Sequence, residues 1–229
     1  MTVEQDPKAK LIDAALAHVA FDGWGAETLR LAASDCEIPL AEAQALFPRG
    51  AVDLALAYHR AGDTAMVKAV QAARETEMRY SERVAHAVRT RLQLADKEAV
   101  RRGTTLFSLP QNAADGAGAI WETADAIWNA LGDSSRDVNW YTKRVTLSGV
   151  YSSVVLYWLG DTSDDDAATW EFLDRRIANV MQFEKTKAQL RKNPLVKSFM
   201  DGPGRVLDNI RAPVGARPEG FPGHWSDKK

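Results

Sequence analysis

A single cysteine, Cys36, stands in 229 residues, so neither an internal disulfide nor a thiolate cage for a metal can form. That suits a reducing cytoplasm and a small, buried Cys36. Only four histidines occur, His18, His59, His86 and His224. None follows a glutamate by three residues, the spacing that carboxylate-bridged di-iron helices require, and the step from Glu82 to His86 is one residue too long. There is no H-E-x-x-H, no G-x-S-x-G elbow, no P-loop and no dinucleotide fingerprint. No apolar run approaches the roughly 20 residues that span a bilayer. The N-terminus has neither a secretory apolar core nor an Arg-rich transit pattern. These absences argue against a hydrolase, a nucleotide enzyme and a secreted scaffold, and predict no catalytic residue, metal or cofactor of the chain's own.

Strand-type alternation is scarce as well, and what fills the chain is 3.6-residue periodicity, which predicts an all-α fold. With 45% apolar and 26% charged residues there is enough material for one good core or two small ones. A net charge of −2 exerts no global pull toward nucleic acid or anionic lipid, so local charge must decide.

Leu11, Ile12, Ala15, Leu16, Val19 and Ala20 form one face of a first helix ending at Asp22-Gly23. Short helices are expected over 28–34 and 40–46, the second opened by Pro39. A long helix follows over 51–75. Another is expected over 77–101, with Val84, Val88, Leu92 and Ala95 inward and Gly103 as its breaker, then an apolar corner from Leu106 to Pro110. Residues 113–131 carry Ile120, Trp121, Ala124, Ile127 and Trp128 on one side. Thr162, Ser163 and the run Asp164 to Asp166 place caps and negative charge at the start of a last long helix, with Trp170, Leu173, Ile177, Val180 and Met181 as its buried face.

The most informative stretch is 133–159. Ser134 and Ser135 precede Asp137 in a capping pattern, and Gly160 supplies a stop. After Arg144 the run carries no charge, which predicts a pillar helix buried on nearly every side. Trp140 and Tyr141 are neighbours and therefore point about 100° apart. One of them is expected to face outward.

Three short helices, a long linker helix and a helical body make up the layout of TetR-type regulators, and residues 8–60 resemble that head, from AALAHVAFDGW to Leu46-Phe47-Pro48. The segment in the recognition position, residues 39–46, offers Gln44 and Glu42 but no cation. Residues 1–60 hold five Lys/Arg against nine Asp/Glu, a balance of about −4 that opposes binding driven by counterion release. No nucleic-acid partner is expected.

The body carries a more specific likeness. Leu109-Pro110-Gln111-Asn112, Trp128, the run Asp137 to Arg144 (DVNWYTKR) and the run Thr169 to Ile177 (TWEFLDRRI) resemble the coenzyme Q biosynthesis accessory family, the lipid-binding Coq-nine proteins. The match is collinear from about residue 8 to residue 190 and suggests a bacterial member. The resemblance implies a TetR-like homodimer whose chamber holds an isoprenoid quinone precursor or another lipid, such as a phospholipid. It also implies presentation of that cargo to a membrane-bound demethoxyubiquinone hydroxylase. A partner surface falls on Trp140 and Tyr141, with Ile127 a third position. Chamber lining is assigned to Leu106, Phe107, Leu109, Trp121, Val150, Val154 and Tyr157, though a plain core has the same apolar pattern.

From Lys185 to Leu207 the charge changes sign: Lys185, Lys187, Arg191, Lys192, Lys197 and Arg205 face Asp201 alone. Leu190, Leu195, Val196 and Phe199 give this segment an amphipathic, membrane-surface character. Burying four such side chains at ~1.5 to 3 kcal/mol each supports peripheral attachment to the inner membrane. The expected organisation is a degenerate helix-turn-helix head over 1–50, a lipid-binding and dimerisation body over 51–183, an amphipathic segment over 184–209 and a disordered tail over 210–229.

Overall fold

The computed structural model describes residues 6–73 and 78–191, with side chains to residue 183. Among them are nine α-helices and one 3-10 turn, and no strand. They divide into two compact units, the first from residues up to Met66 with Arg91–Ala119, the second from Val67–Thr90 with residues from Ile120 onward.

The first unit begins with α1 (Pro7–Asp22), where Asp6 accepts from the Lys8 amide at 3.1 Å and Pro7 takes the first helical position. Gly23 ends it at φ 68°, a left-handed value that glycine adopts without steric cost. Helices α2 (Ala26–Asp35) and α3 (Leu40–Leu46) follow, and Pro39 stands one residue ahead of α3 as its cap. Leu11, Ala15, Val19, Leu29, Phe47 and Leu54 are almost completely buried together. Each of the larger ones contributes ~1.5 to 3 kcal/mol on leaving water.

The core of this unit reaches well past residue 50. Helix α4 (Ala51–Ala73) contributes Leu54 and Ala55, and Ala99 belongs to the same cluster. The Trp24 indole N–H donates to the Ala99 carbonyl at 2.9 Å, and its ring lies 5.3 Å from that of Tyr58, whose hydroxyl accepts from the Asp96 amide at 2.8 Å.

The single helix expected over 77–101 is two, α5 (Tyr80–Gln93) and α6 (Lys97–Phe107). Asp96 caps the second, accepting from the Ala99 amide at 2.7 Å. Gly103 does not break a helix. It is buried within α6, with the Trp24 indole nitrogen 3.6 Å from where a Cβ would stand.

The second unit contains most of α7 (Ala113–Ala130), all of α8 (Val138–Gly160) and α9 (Ala167–Arg191), with α8 packed on α9. Helix α8 is capped by Asp137, which accepts from the Asn139 amide at 3.0 Å; Ser135 instead donates to Asp133. Its expected all-round burial is corrected. Leu147, Val150, Tyr151, Val154 and Trp158 are buried, whereas Val145 is 61% and Leu156 63% exposed. Ahead of α9, the Asp161 carboxylate accepts from the Thr169 amide and hydroxyl and from the Ser163 amide and hydroxyl. Those bonds hold its pKa far below the usual carboxylate value. Within the following run, Asp166 accepts from the Trp158 indole at 2.8 Å. On α9, Leu173 is fully buried but Met181 is exposed.

The segment 184–209, with Leu195, Val196 and Phe199, lies outside the described residues except for the main chain of α9 to Arg191, which includes Leu190. So does the tail over 210–229.

Candidate functional site

The first turn of α8 brings three aromatic rings together. Trp140 and Tyr141 meet edge to face with centroids 4.7 Å apart, and Trp121 of α7 lies 5.8 Å from the first and 6.5 Å from the second. These separations fall in the attractive range for aromatic pairs. Trp121 is buried, while Trp140 and Tyr141 are both half-buried. One of the pair is expected to face outward; in the structure each ring covers part of the other, and both keep an accessible portion.

Beneath the cluster lies a charge. Arg144 has no exposed surface. Its Nε donates to Asp125 Oδ1 at 2.5 Å, one terminal nitrogen to Asp133 Oδ2 at 3.2 Å and to the Trp140 carbonyl at 3.1 Å, and the other to Asn129 Oδ1 at 3.2 Å. The guanidinium carbon Cζ lies over the Trp140 ring, 4.0 Å from its centroid. A buried cation is stable only with such partners. Asp133 is shared: it also accepts from Lys143 Nζ at 2.7 Å and from the Ser135 hydroxyl at 2.8 Å. Burial pushes its carboxyl up, and hydrogen bonds and positive charge from Lys143, Ser135 and Arg144 outweigh that, leaving it below the ordinary aspartate value. Lys143 also lies over the Trp128 ring, which stacks on Tyr80 at 5.7 Å.

The residues assigned from sequence fall in several places. Ile127 is wholly buried, which corrects its assignment to a partner-facing surface: it supports α7 from within. Leu106 and Phe107 are half-buried against the core of the first unit, and Leu109 is 43% exposed. Trp121, Val150 and Val154 are buried in the second unit. Tyr157 is 39% exposed and stacks nearly parallel on Phe172 with centroids 4.5 Å apart. Leu109 and Tyr157 thus stand at the surface, which corrects their assignment as interior liners. Arg144, Asp125 and Asp133 were not singled out by periodicity. The available signal was an arginine at the head of a 16-residue run without charge, residues 145–160, with two aspartates upstream.

The family model described as COQ9 matches residues 113–184, the stretch that holds the aromatic cluster and its buried arginine. The chain is 29% identical over 218 residues to the Rattus norvegicus protein named "Ubiquinone biosynthesis protein COQ9, mitochondrial", covering 90% of this chain and 69% of that one. The Drosophila melanogaster protein of the same name is 30% identical over 188 residues, 80% of this chain and 57% of the relative. Among solved structures, the TetR transcriptional regulator from Nitrosomonas europaea superposes with a TM-score of 0.63 at 21% identity, covering 76% of this chain and 97% of that one. That likeness shows the fold, which is all-α and TetR-like. Joined to the collinear similarity across nine-tenths of its length, the match over α7 to α9 makes this chain similar to the COQ9 ubiquinone biosynthesis proteins.

Proposed function

We propose that this chain is a non-enzymatic accessory protein of ubiquinone biosynthesis, binding an isoprenoid quinone intermediate or another lipid and presenting it to a membrane-bound demethoxyubiquinone hydroxylase. One observation carries the proposal: the family-matching stretch places the half-buried Trp140 and Tyr141 together at the accessible start of α8. Trp and Tyr supply large contact area at low entropic cost and dominate interface hot spots. Relatives that share this stretch are named for ubiquinone biosynthesis.

The protein acts as a homodimer attached peripherally to the inner membrane. Val145 and Leu156 on α8, with Met181 and Phe183 on α9, are large apolar side chains between 43% and 66% exposed, which supports a second copy covering these helices. No helix among the described residues is long and apolar enough to cross a membrane. The basic amphipathic segment that follows α9 in sequence supplies the surface attachment.

A deletion strain tests the role. Loss of the gene is expected to deplete ubiquinone and accumulate the demethoxy intermediate, with rescue by the wild-type chain but not by the Trp140→Ala, Tyr141→Ala double variant. Solvent extraction of the purified protein, read by mass spectrometry, is expected to yield an isoprenoid or phospholipid. Normal ubiquinone in the deletion strain refutes the role, and a lipid-free protein refutes the cargo.

A further inference from the structure

Arg144 is a wholly buried cation lying directly beneath a half-accessible aromatic pair. Stability alone does not account for it, because a buried ion pair is often no better than an apolar replacement of similar volume. Its bonds do something that apolar contact cannot. Asp125 and Asn129 come from α7 and Asp133 from the α7 to α8 connection, so in-plane hydrogen bonds from three sides fix the plane of the guanidinium. Trp140 precedes Arg144 by one helical turn, on the same face of α8. The oriented guanidinium therefore sits over the Trp140 ring, its Cζ 4.0 Å from the ring centroid, while one terminal nitrogen donates to the Trp140 carbonyl. An ammonium would supply charge without a plane.

We propose that Arg144 is the positioning residue of the partner surface, fixing the Trp140 indole in one rotamer so that Trp140 and Tyr141 meet a partner as a preformed pair. The inference rests on the proposed role of that pair in binding the hydroxylase. Its mechanism is preorganisation: a large side chain already ordered in the free protein loses less freedom when it binds.

The test uses the full-length chain labelled with 5-fluorotryptophan, the Trp140 resonance being assigned through Trp140→Phe, together with binding to the detergent-purified hydroxylase of the same organism. The wild type is expected to give one sharp Trp140 line. Arg144→Met is expected to shift and broaden that line and to weaken binding at least fivefold. Trp140→Ala sets the upper limit at about thirtyfold. Arg144→Lys, which keeps the charge, is expected to retain fold and stability yet show the same altered line, and it serves as the test if Arg144→Met does not fold. Asp161→Asn, in the connection between α8 and α9, controls for general destabilisation and is expected to leave line and affinity unchanged.

An unaltered Trp140 line in both Arg144 variants overturns the positioning role. So does an equal loss of affinity in the Asp161→Asn control. If the line changes but Trp140→Ala binds the hydroxylase as well as the wild type does, the positioning role stands and the partner surface falls.

Discussion

Asp133 offers a clean contest between two physical effects, and Asp133→Asn decides which wins. Its side chain is only 2% exposed and links Lys143 to Arg144. Breaking a fully buried ion pair costs about 3 to 5 kcal/mol, because the surviving charge is stranded. Here the loss is smaller for two reasons. Lys143 is 35% exposed and can return to water, and Arg144 keeps Asp125. The amide also preserves one acceptor oxygen. A net destabilisation of about 1 to 3 kcal/mol at neutral pH is expected, read as a lowered urea midpoint at unchanged slope.

The pH dependence carries the sign. Burial raises the Asp133 pKa, the bonds to Lys143, Ser135 and Arg144 lower it, and the net direction is down. A folded pKa below the unfolded one gives stability that is complete above roughly pH 4 and is lost as pH falls through the depressed value. The gap between wild type and Asp133→Asn is therefore constant from pH 7.5 to 5 and narrows toward pH 3.5. If burial won, protonation would favour the folded wild type, and the gap would widen on acidification from pH 6 to 4. A widening gap, or none at pH 7.5, refutes the balance deduced here.

Three further outcomes are expected. On α7, Gly118→Ala meets nothing within 4 Å and gains up to about 1 kcal/mol of helix propensity, whereas Gly116→Ala sets its Cβ 2.7 Å from the Phe107 Cβ and loses about 1 to 2 kcal/mol net; urea midpoints moving the same way would refute the contrast. Gly62→Ala on α4 drives a Cβ to 2.8 Å from the Arg91 guanidinium, which is held by Asp63 at 2.7 Å and the His59 carbonyl at 3.0 Å, so thermal unfolding shows a loss of about 1 to 3 kcal/mol despite the better helix former. In electrophoretic mobility assays at low salt the chain leaves duplex DNA unshifted, as its acidic head requires; a retarded band that disappears with added salt would contradict this.

Helix existence was legible almost everywhere, because α1, α2, α3 and α7 each alternate apolar and polar residues with the helical period. The break between α5 and α6 was hidden by the same signal. Val84, Val88, Leu92, Ala95 and Ala99 keep a four-four-three-four spacing straight through it, so periodicity continues where the main chain does not. Asp96, which caps α6 at that break, interrupts the helix without interrupting the stripe. In α8 the error ran the other way. Hydropathy registers that Val145 and Leu156 are apolar, not that they stand on the outer face of a helix. The aromatic pair was legible by motif. Its support was not, since Arg144 is buried by carboxylates 11 and 19 residues upstream whose approach depends on how α7 meets α8.

That support has a counterpart in the first unit, and the comparison indicates what buried arginines do in this protein. Arg91 takes its ligands from Asp63 and from the His59 carbonyl, one turn apart on α4, in space left open by Gly62. It ties the end of α5 to a fixed register on α4. Arg144 ties the first turn of α8 to α7 in the same manner. Hydrophobic burial is non-directional and lets a helix rotate or slide at little cost, provided that its apolar stripe stays covered. A guanidinium with in-plane partners on the neighbouring element permits neither motion. The two clamps differ in what stands on them: the Arg144 plane carries Trp140, a ring that is half accessible. Directional bonding at that point turns a packed helix end into a surface of defined shape, as an aromatic contact meant for a partner requires.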